Sequence, residues 1–236
     1  MHNGILEMGR SLPALVQSHG SYPELLSFLL LRQSKDFAFT TYPVLEGLLP
    51  ANVAQHDGWL VTGSPHGVYD GLPWIAPAEE FLRQAMAVHR PIVGICFGHQ
   101  LLARALGGTV IKSPKGWGLG LHEYTWQPES GRSGSFVLPA SHQDQVVALP
   151  PTGTVLAASS HCAYAALAYG DDALTFQAHP EFTLAYQQDS LRLKEEVGGI
   201  APDILTAAQQ SLTDKVSSSP AIGAVIADFY LRTRKR

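Results

Sequence analysis

At 236 residues the chain is of a length that suits one α/β enzyme domain, and a composition 45% hydrophobic against 15% charged suits a buried core and excludes a disordered chain. A formal net charge of −4 and a pI near 6.2 argue against nucleic acid as a partner, because phosphate binding favours basic surfaces. The start, "MHNGILEMGRSLPALVQ", has no basic leader followed by a sustained apolar stretch, and the most apolar run, "LLSFLLL" at 25–31, is far short of the ~20 residues that cross a bilayer. No signal peptide, no membrane partner and a cytoplasmic location are therefore expected. The basic end "LRTRKR" is expected to be simply solvated.

In chain order, "NGILEM" reads as a short strand. "SYPELLSFLLLRQ" then opens a helix, with Ser21 as N-cap and Glu24 three residues on to complete a capping box. "DFAFTTY" alternates with period two and predicts a strand. "GWLVTG" is a further apolar strand, running into the glycine-bearing loop "TGSPHGVYDGLPW". Helical spacing resumes over "AEEFLRQAMAVHR", "PIVGI" follows as a buried strand, and "GHQLLARALGG" is a short helix with glycine at its C-terminal end. From about Thr109 the signals become short strands: "GTVIKS", "GLGLHEYTW", "SFVLPASH", "TVLAAS", "AYAALAY" and "ALTFQAH". Beyond Phe182 the pattern is helical, with "SSSP" as a break.

Strands alternating with helices predict a parallel sheet covered on both faces. The expectation is an α/β three-layer sandwich with a mostly parallel central sheet, helices on both faces and extra antiparallel strands. With neither repeat nor linker in view, residues 1–236 read as a single domain with a helical extension over 182–236.

The stretch Gly94-Ile95-Cys96-Phe97-Gly98 has the form of a nucleophile elbow, in which a sharp strand-to-helix turn presents a strained nucleophile. Flanking glycines let the chain pass without a Cβ clash. A thiol at a helix N-terminus is favoured as thiolate by the dipole and free N–H groups, and the Phe97 N–H is placed to donate to an oxyanion. A cysteine nucleophile needs a base and the base an orienting group. Among ten histidines, His179 in "LTFQAHPEF" is the most informative: it ends an apolar strand, and Glu181 at i+2 would point the same way in extended chain. His99 reads as a packing or helix-end residue, Cys162 as a small buried residue. His142 and Asp144 fit a pocket pair or a solvated loop equally. Neither zinc-ligand spacing nor a phosphate loop is present, so no metal and no cofactor are expected.

"GICFGHQLLARALGG" together with "FQAHPEF" resembles the class I (triad-type) glutamine amidotransferase domain, over about Leu60 to Phe182. The resemblance implies a triad of Cys96, His179 and Glu181. It implies that "TGSPHGVYD" is an oxyanion loop whose second donor lies near Gly63 or Ser64, that Gln100 lies beside a bound glutamyl group, and that "SHQDQV", with His142 and Gln143, lines the same pocket. "KGWGLGL" and "SHQDQVVALP" are also similar to plant γ-glutamyl peptidases of this superfamily. In intracellular proteases of a related fold histidine directly follows the nucleophile; Phe97 stands there here.

The expected activity is a cysteine hydrolase that cleaves the γ-amide of glutamine through a thioester on Cys96. Ammonia would pass to an acceptor, with any synthase on another polypeptide. The alternative is a free-standing γ-glutamyl peptidase, and a non-catalytic binding protein is disfavoured by the intact triad. Glutamine or a γ-glutamyl small molecule is the expected partner.

Overall fold

The computed structural model describes residues 1–233; the end of the basic tail lies outside them. In chain order the elements are β1 (His2–Leu6), α1 (Pro13–His19), α2 (Tyr22–Leu31), β2 (Ala38–Tyr42), β3 (Gly58–Val61), α3 (Ile75–Ala87), β4 (Ile92–Ile95) and α4 (Phe97–Ala105). There follow β5 (Thr109–Lys112), β6 (Gly118–Trp126), β7 (Ser135–His142), β8 (Asp144–Ala148), β9 (Thr154–Ala158), β10 (Ala166–Tyr169), β11 (Ala173–Phe176), α5 (Leu184–Val197), α6 (Pro202–Asp214) and α7 (Ser219–Thr233).

Nine strands form one sheet in the order β2-β1-β3-β4-β11-β10-β9-β6-β7. The half from β2 to β11 is parallel and the half from β11 to β7 antiparallel. Alternation along the parallel strands divides their side chains between two cores. Ile5, Leu60, Val93 and Ile95 meet Leu26 and Leu30 of α2 and Ile222, Ile226 and Tyr230 of α7 on one face. Leu6, Trp59, Val61 and Ile92 meet Phe81 and Leu82 of α3 and Phe97, Leu101 and Leu102 of α4 on the other. The result is the expected three-layer arrangement. Every residue of β3 and β4 is buried, as continuous apolar strands in the middle of a covered sheet must be.

Local signals act where the residues predict them. Ser21 Oγ accepts from Glu24 N, and Ser21 N donates to Glu24 Oε2 at 2.7 Å, which closes the capping box of α2. Two elements differ from the expectation. The helix α1 begins at Pro13, where a proline at the first helical position costs no hydrogen bond. The strand β8 pairs antiparallel with β5 in a separate two-stranded sheet, so the segment around "SHQDQV" is part strand. The region after Phe182 is helical as expected: α6 packs on β6 and α7 returns to α2. No helix of the described residues is long and apolar enough to cross a membrane.

Register brings three strand ends together. Val61 lies beside Gly94, and Ile95 beside Phe176, so the carboxyl ends of β3, β4 and β11 lie side by side. In open α/β sheets ligands bind outside such ends. The segments that leave them carry Gly63, Cys96 and His179.

Candidate active site

Cys96 joins β4 to α4 with φ 53° and ψ −100°, a backbone conformation that costs a residue other than glycine about 1–3 kcal/mol. Packing of α4 holds it there. Phe97, Leu101 and Leu102 are fully buried, and burial of each contributes roughly 1.5–3 kcal/mol. The flanking glycines are required by close approach. A Cβ on Gly94 would lie 2.7 Å from the carbonyl of Gly98, and one on Gly98 would lie 2.5 Å from the carbonyl oxygen of Val61. As the first residue of α4, Phe97 has an N–H with no intrahelical acceptor, while its ring packs against Trp74 and away from the cavity.

His179 and Glu181 lie in a turn, not in extended chain. Pro180 occupies the second position of this turn, and Phe182 N donates to His179 O at 3.3 Å. The turn still brings the two side chains together, with His179 Nδ1 2.8 Å from Glu181 Oε1. It also lays Phe182 flat on the imidazole, centroids 4.0 Å apart and planes 4° apart, with Tyr186 stacked beyond. Burial pushes the His179 pKa down, but the charge of Glu181 and the charge and hydrogen bond of Cys96 outweigh it, and the pKa rises to about 10. Gly63 completes the cluster: a Cβ there would lie 3.0 Å from His179 Cε1 and 3.7 Å from Cys96 Cβ. The Thr62 hydroxyl accepts from Met8 N and donates to Gly63 O, which fixes the loop as it leaves β3.

A cavity of about 670 Å³ opens on Cys96 and His179 and is lined also by Ser64, Gln100, His142 and Gln143. The Gln100 amide nitrogen donates to Asp144 O at 2.9 Å and to Gln177 Oε1 at 3.1 Å, and Gln177 Nε2 in turn donates to Cys96 Sγ at 3.6 Å. Sequence reasoning missed Gln177. Its signal was its place directly after β11, two residues before His179. Tyr69, also missed, donates from its hydroxyl to Asp144 Oδ1 at 2.7 Å, tying the loop after β3 to the start of β8. The open question over His142 and Asp144 resolves to the pocket: both line the cavity. His142 is buried, its Nδ1 lies 3.2 Å from Asp144 O, and burial with His161 nearby lowers its pKa to about 3.

The residues read as structural behave so. His99 is fully buried and pairs with Thr175 Oγ1 at 2.8 Å, and burial lowers its pKa to about 3. Cys162 is buried, and desolvation pushes its thiol up to about 12. Among the described residues no group of three or more His, Cys, Asp or Glu converges as a metal site. The arrangement sets a strained thiol and a histidine held by a carboxylate on one cavity, with the N-terminus of α4 directly after the thiol.

Comparison with known proteins bears on the family and the fold. The family model described as glutamine amidotransferase class-I matches residues 34–195. The chain is 32% identical to γ-glutamyl peptidase 3 of Arabidopsis thaliana over 153 residues, which are 60% of this chain and 61% of that protein; it thus spans about three-fifths of that relative's length. It is 26% identical over 238 residues to a glutamine amidotransferase-like protein of Schizosaccharomyces pombe, covering 93% of each. The crystal structure of a glutamine amidotransferase from Methylobacillus flagellatus shares the fold, with a TM-score of 0.75 at 24% identity over 99% of this chain and 93% of that one. With its model matched across residues 34–195, the chain belongs to the class-I glutamine amidotransferase family.

Proposed function

We propose that the protein is a cysteine hydrolase that cleaves γ-glutamyl amide bonds, with Cys96 as nucleophile, His179 as general acid and base and Glu181 as its orienting partner. The observation that carries this reading is the convergence of a strained Cys96 and the Glu181-paired His179 on one cavity.

The chemistry runs in two halves. The Cys96 thiolate attacks the side-chain amide carbon, and the carbonyl electron pair moves onto oxygen. The Phe97 N–H and a backbone donor near Gly63 or Ser64 stabilise that oxyanion. Collapse of the tetrahedral intermediate breaks the C–N bond, and protonated His179 delivers its proton to the leaving nitrogen. A thioester on Cys96 remains. Neutral His179 then takes a proton from water as it attacks the thioester, which releases glutamate and restores the thiolate. Gln100, Gln177, His142 and Gln143 shape the pocket around the glutamyl group.

The size of the cavity favours a γ-glutamyl compound with a substantial leaving part over glutamine alone, since about 670 Å³ falls within the range that takes ligands of drug size. The similarity to a γ-glutamyl peptidase points the same way. The second reading, glutamine as donor with ammonia handed to a synthase on another polypeptide, is favoured by the amidotransferase family match. We place the protein in the cytoplasm, where two unpaired cysteines stay reduced.

The test is a screen of the purified chain against glutamine, γ-glutamyl dipeptides and α-glutamyl dipeptides, reading amine or amino-acid release. Hydrolysis of γ-linked but not α-linked substrates is expected. Equal cleavage of both linkages would overturn the glutamyl pocket, and activity only in the presence of a synthase would favour the second reading.

A further inference from the structure

The helix α5 lines the cavity with Tyr186, Ser190, Lys194 and Val197, positions spaced at helical period along one face. Tyr186 is accounted for: its hydroxyl pairs with Ser11 Oγ at 2.8 Å and its ring extends the stack on His179. Lys194 is not. Its ammonium lies 5.4 Å from the centroid of the Trp117 ring, and Trp117 lines the same cavity. Among the described residues no carboxylate stands within ion-pair distance of it, whereas Arg192 on the same helix has both Asp189 and Glu196. Arg10, also on the cavity wall, has Glu7 and Glu46.

A lysine has three donors and no acceptor. The face of Trp117 attracts the charge but satisfies no donor hydrogen-bond geometry, and burial lowers the Lys194 pKa. The charge of Cys96 acts on Lys194 through space and opposes the shift, but no carboxylate among the described residues neutralises it. A partly buried cation on a pocket wall in that position can take an anion brought by the ligand. Its place on α5 indicates which part of the ligand brings it. The leaving nitrogen must lie against His179, which protonates it, and α5 starts beside the His179–Phe182–Tyr186 stack. Lys194 is eight residues beyond Tyr186, about 12 Å along the axis at 1.5 Å per residue, and its side chain leans back toward the helix start.

We propose that Lys194, seated on Trp117, is a specificity residue that binds the carboxylate of the leaving part of a γ-glutamyl substrate. The proposal rests on the γ-glutamyl hydrolase reading above and narrows it to substrates whose leaving part is itself an amino acid or peptide with a free carboxyl end.

The test is calorimetric binding of γ-glutamylglycine and of its C-terminal amide to the Cys96→Ala protein, which cannot turn them over. The Lys194→Gln change in that background should weaken the acid by about 10- to 100-fold and leave the amide nearly unaffected. Lys194→Arg should keep most of the preference for the acid. An equal loss for acid and amide would overturn the proposal, since Lys194 would then hold the glutamyl carboxylate or only shape the helix; an unchanged affinity for both would overturn it too. Failure of both compounds to bind while Lys194 is intact would instead sink the γ-glutamyl reading itself. A thermal midpoint for Lys194→Gln no lower than that of its parent excludes unfolding as the cause of a loss.

Discussion

Gly98 in the first turn of α4 packs so closely on Val61 at the end of β3 that a Cβ there would sit 2.5 Å from the Val61 carbonyl oxygen and 2.7 Å from its Cβ. Backbone, not a flexible side chain, stands in the way. Gly98→Ala should therefore destabilise the protein by about 1–3 kcal/mol, as overpacking of a tight core does, and should lower turnover by shifting Cys96. Urea denaturation measures the first effect. A variant as stable as its parent would show that the elbow has room the structure does not give it.

The two cysteines should separate cleanly in reactivity. Cys162 is buried with its thiol pushed up to about 12, so at neutral pH it stays protonated and unreactive. A glutamine-like electrophile is expected to modify Cys96 alone, Cys96→Ala to abolish turnover, and Cys162→Ala to retain most of it. Peptide mapping of the labelled protein reads the outcome; label on Cys162 with Cys96 spared would reverse the assignment.

His179 and Glu181 make a prediction about stability at alkaline pH. The folded pKa of His179, about 10, lies above the ordinary imidazole value near 6.5. Its contribution to stability is therefore complete below pH ~6.5 and is lost as pH rises through about 10. Removal of one partner of a buried pair costs about 3–5 kcal/mol, so Glu181→Gln should show its largest penalty at or just below neutral pH and converge on its parent toward pH 10. Denaturation of both proteins across this range is the check, and a penalty that grows with pH would contradict the pairing.

His142 predicts the opposite limb. Its folded pKa, about 3, lies below the unfolded value, so the unfolded chain binds the extra proton and stability falls as pH drops from ~6.5 toward 3. Each such group contributes a slope of about 1.4 kcal/mol per pH unit. His142→Gln should flatten the acid slope between pH 4 and 6 by about that amount. An unchanged slope would mean that His142 titrates freely in the folded protein.

Much of this arrangement was legible in the residues because the chemistry is local. The apolar run into Gly94-Ile95-Cys96-Phe97-Gly98 specifies strand, turn and helix within a dozen residues, and the Ser21–Glu24 capping box is a contact three residues long. His179 and Glu181 approach each other, but not through the conformation that their spacing suggested. The i, i+2 spacing at a strand end suggested extended chain, but Pro180 favours a turn, and the turn adds the stack with Phe182 that no spacing announced. Gln177, Tyr69 and Lys194 escaped because their partners are distant in sequence: Gln177 meets Gln100, Tyr69 meets Asp144 and Lys194 meets Trp117 only through the fold. The strand β8 was hidden for the same reason, since its partner β5 lies across β6 and β7.

The central claim is that Cys96 carries the glutamyl group during turnover. The direct measurement is intact-protein and peptide mass spectrometry of the enzyme, quenched in acid during hydrolysis of a γ-glutamyl dipeptide. The account predicts a glutamyl adduct, labile to hydroxylamine as a thioester is, on the peptide that contains Cys96 and absent from Cys96→Ala. Turnover that persists in Cys96→Ala, or an adduct found on any other residue, would contradict it.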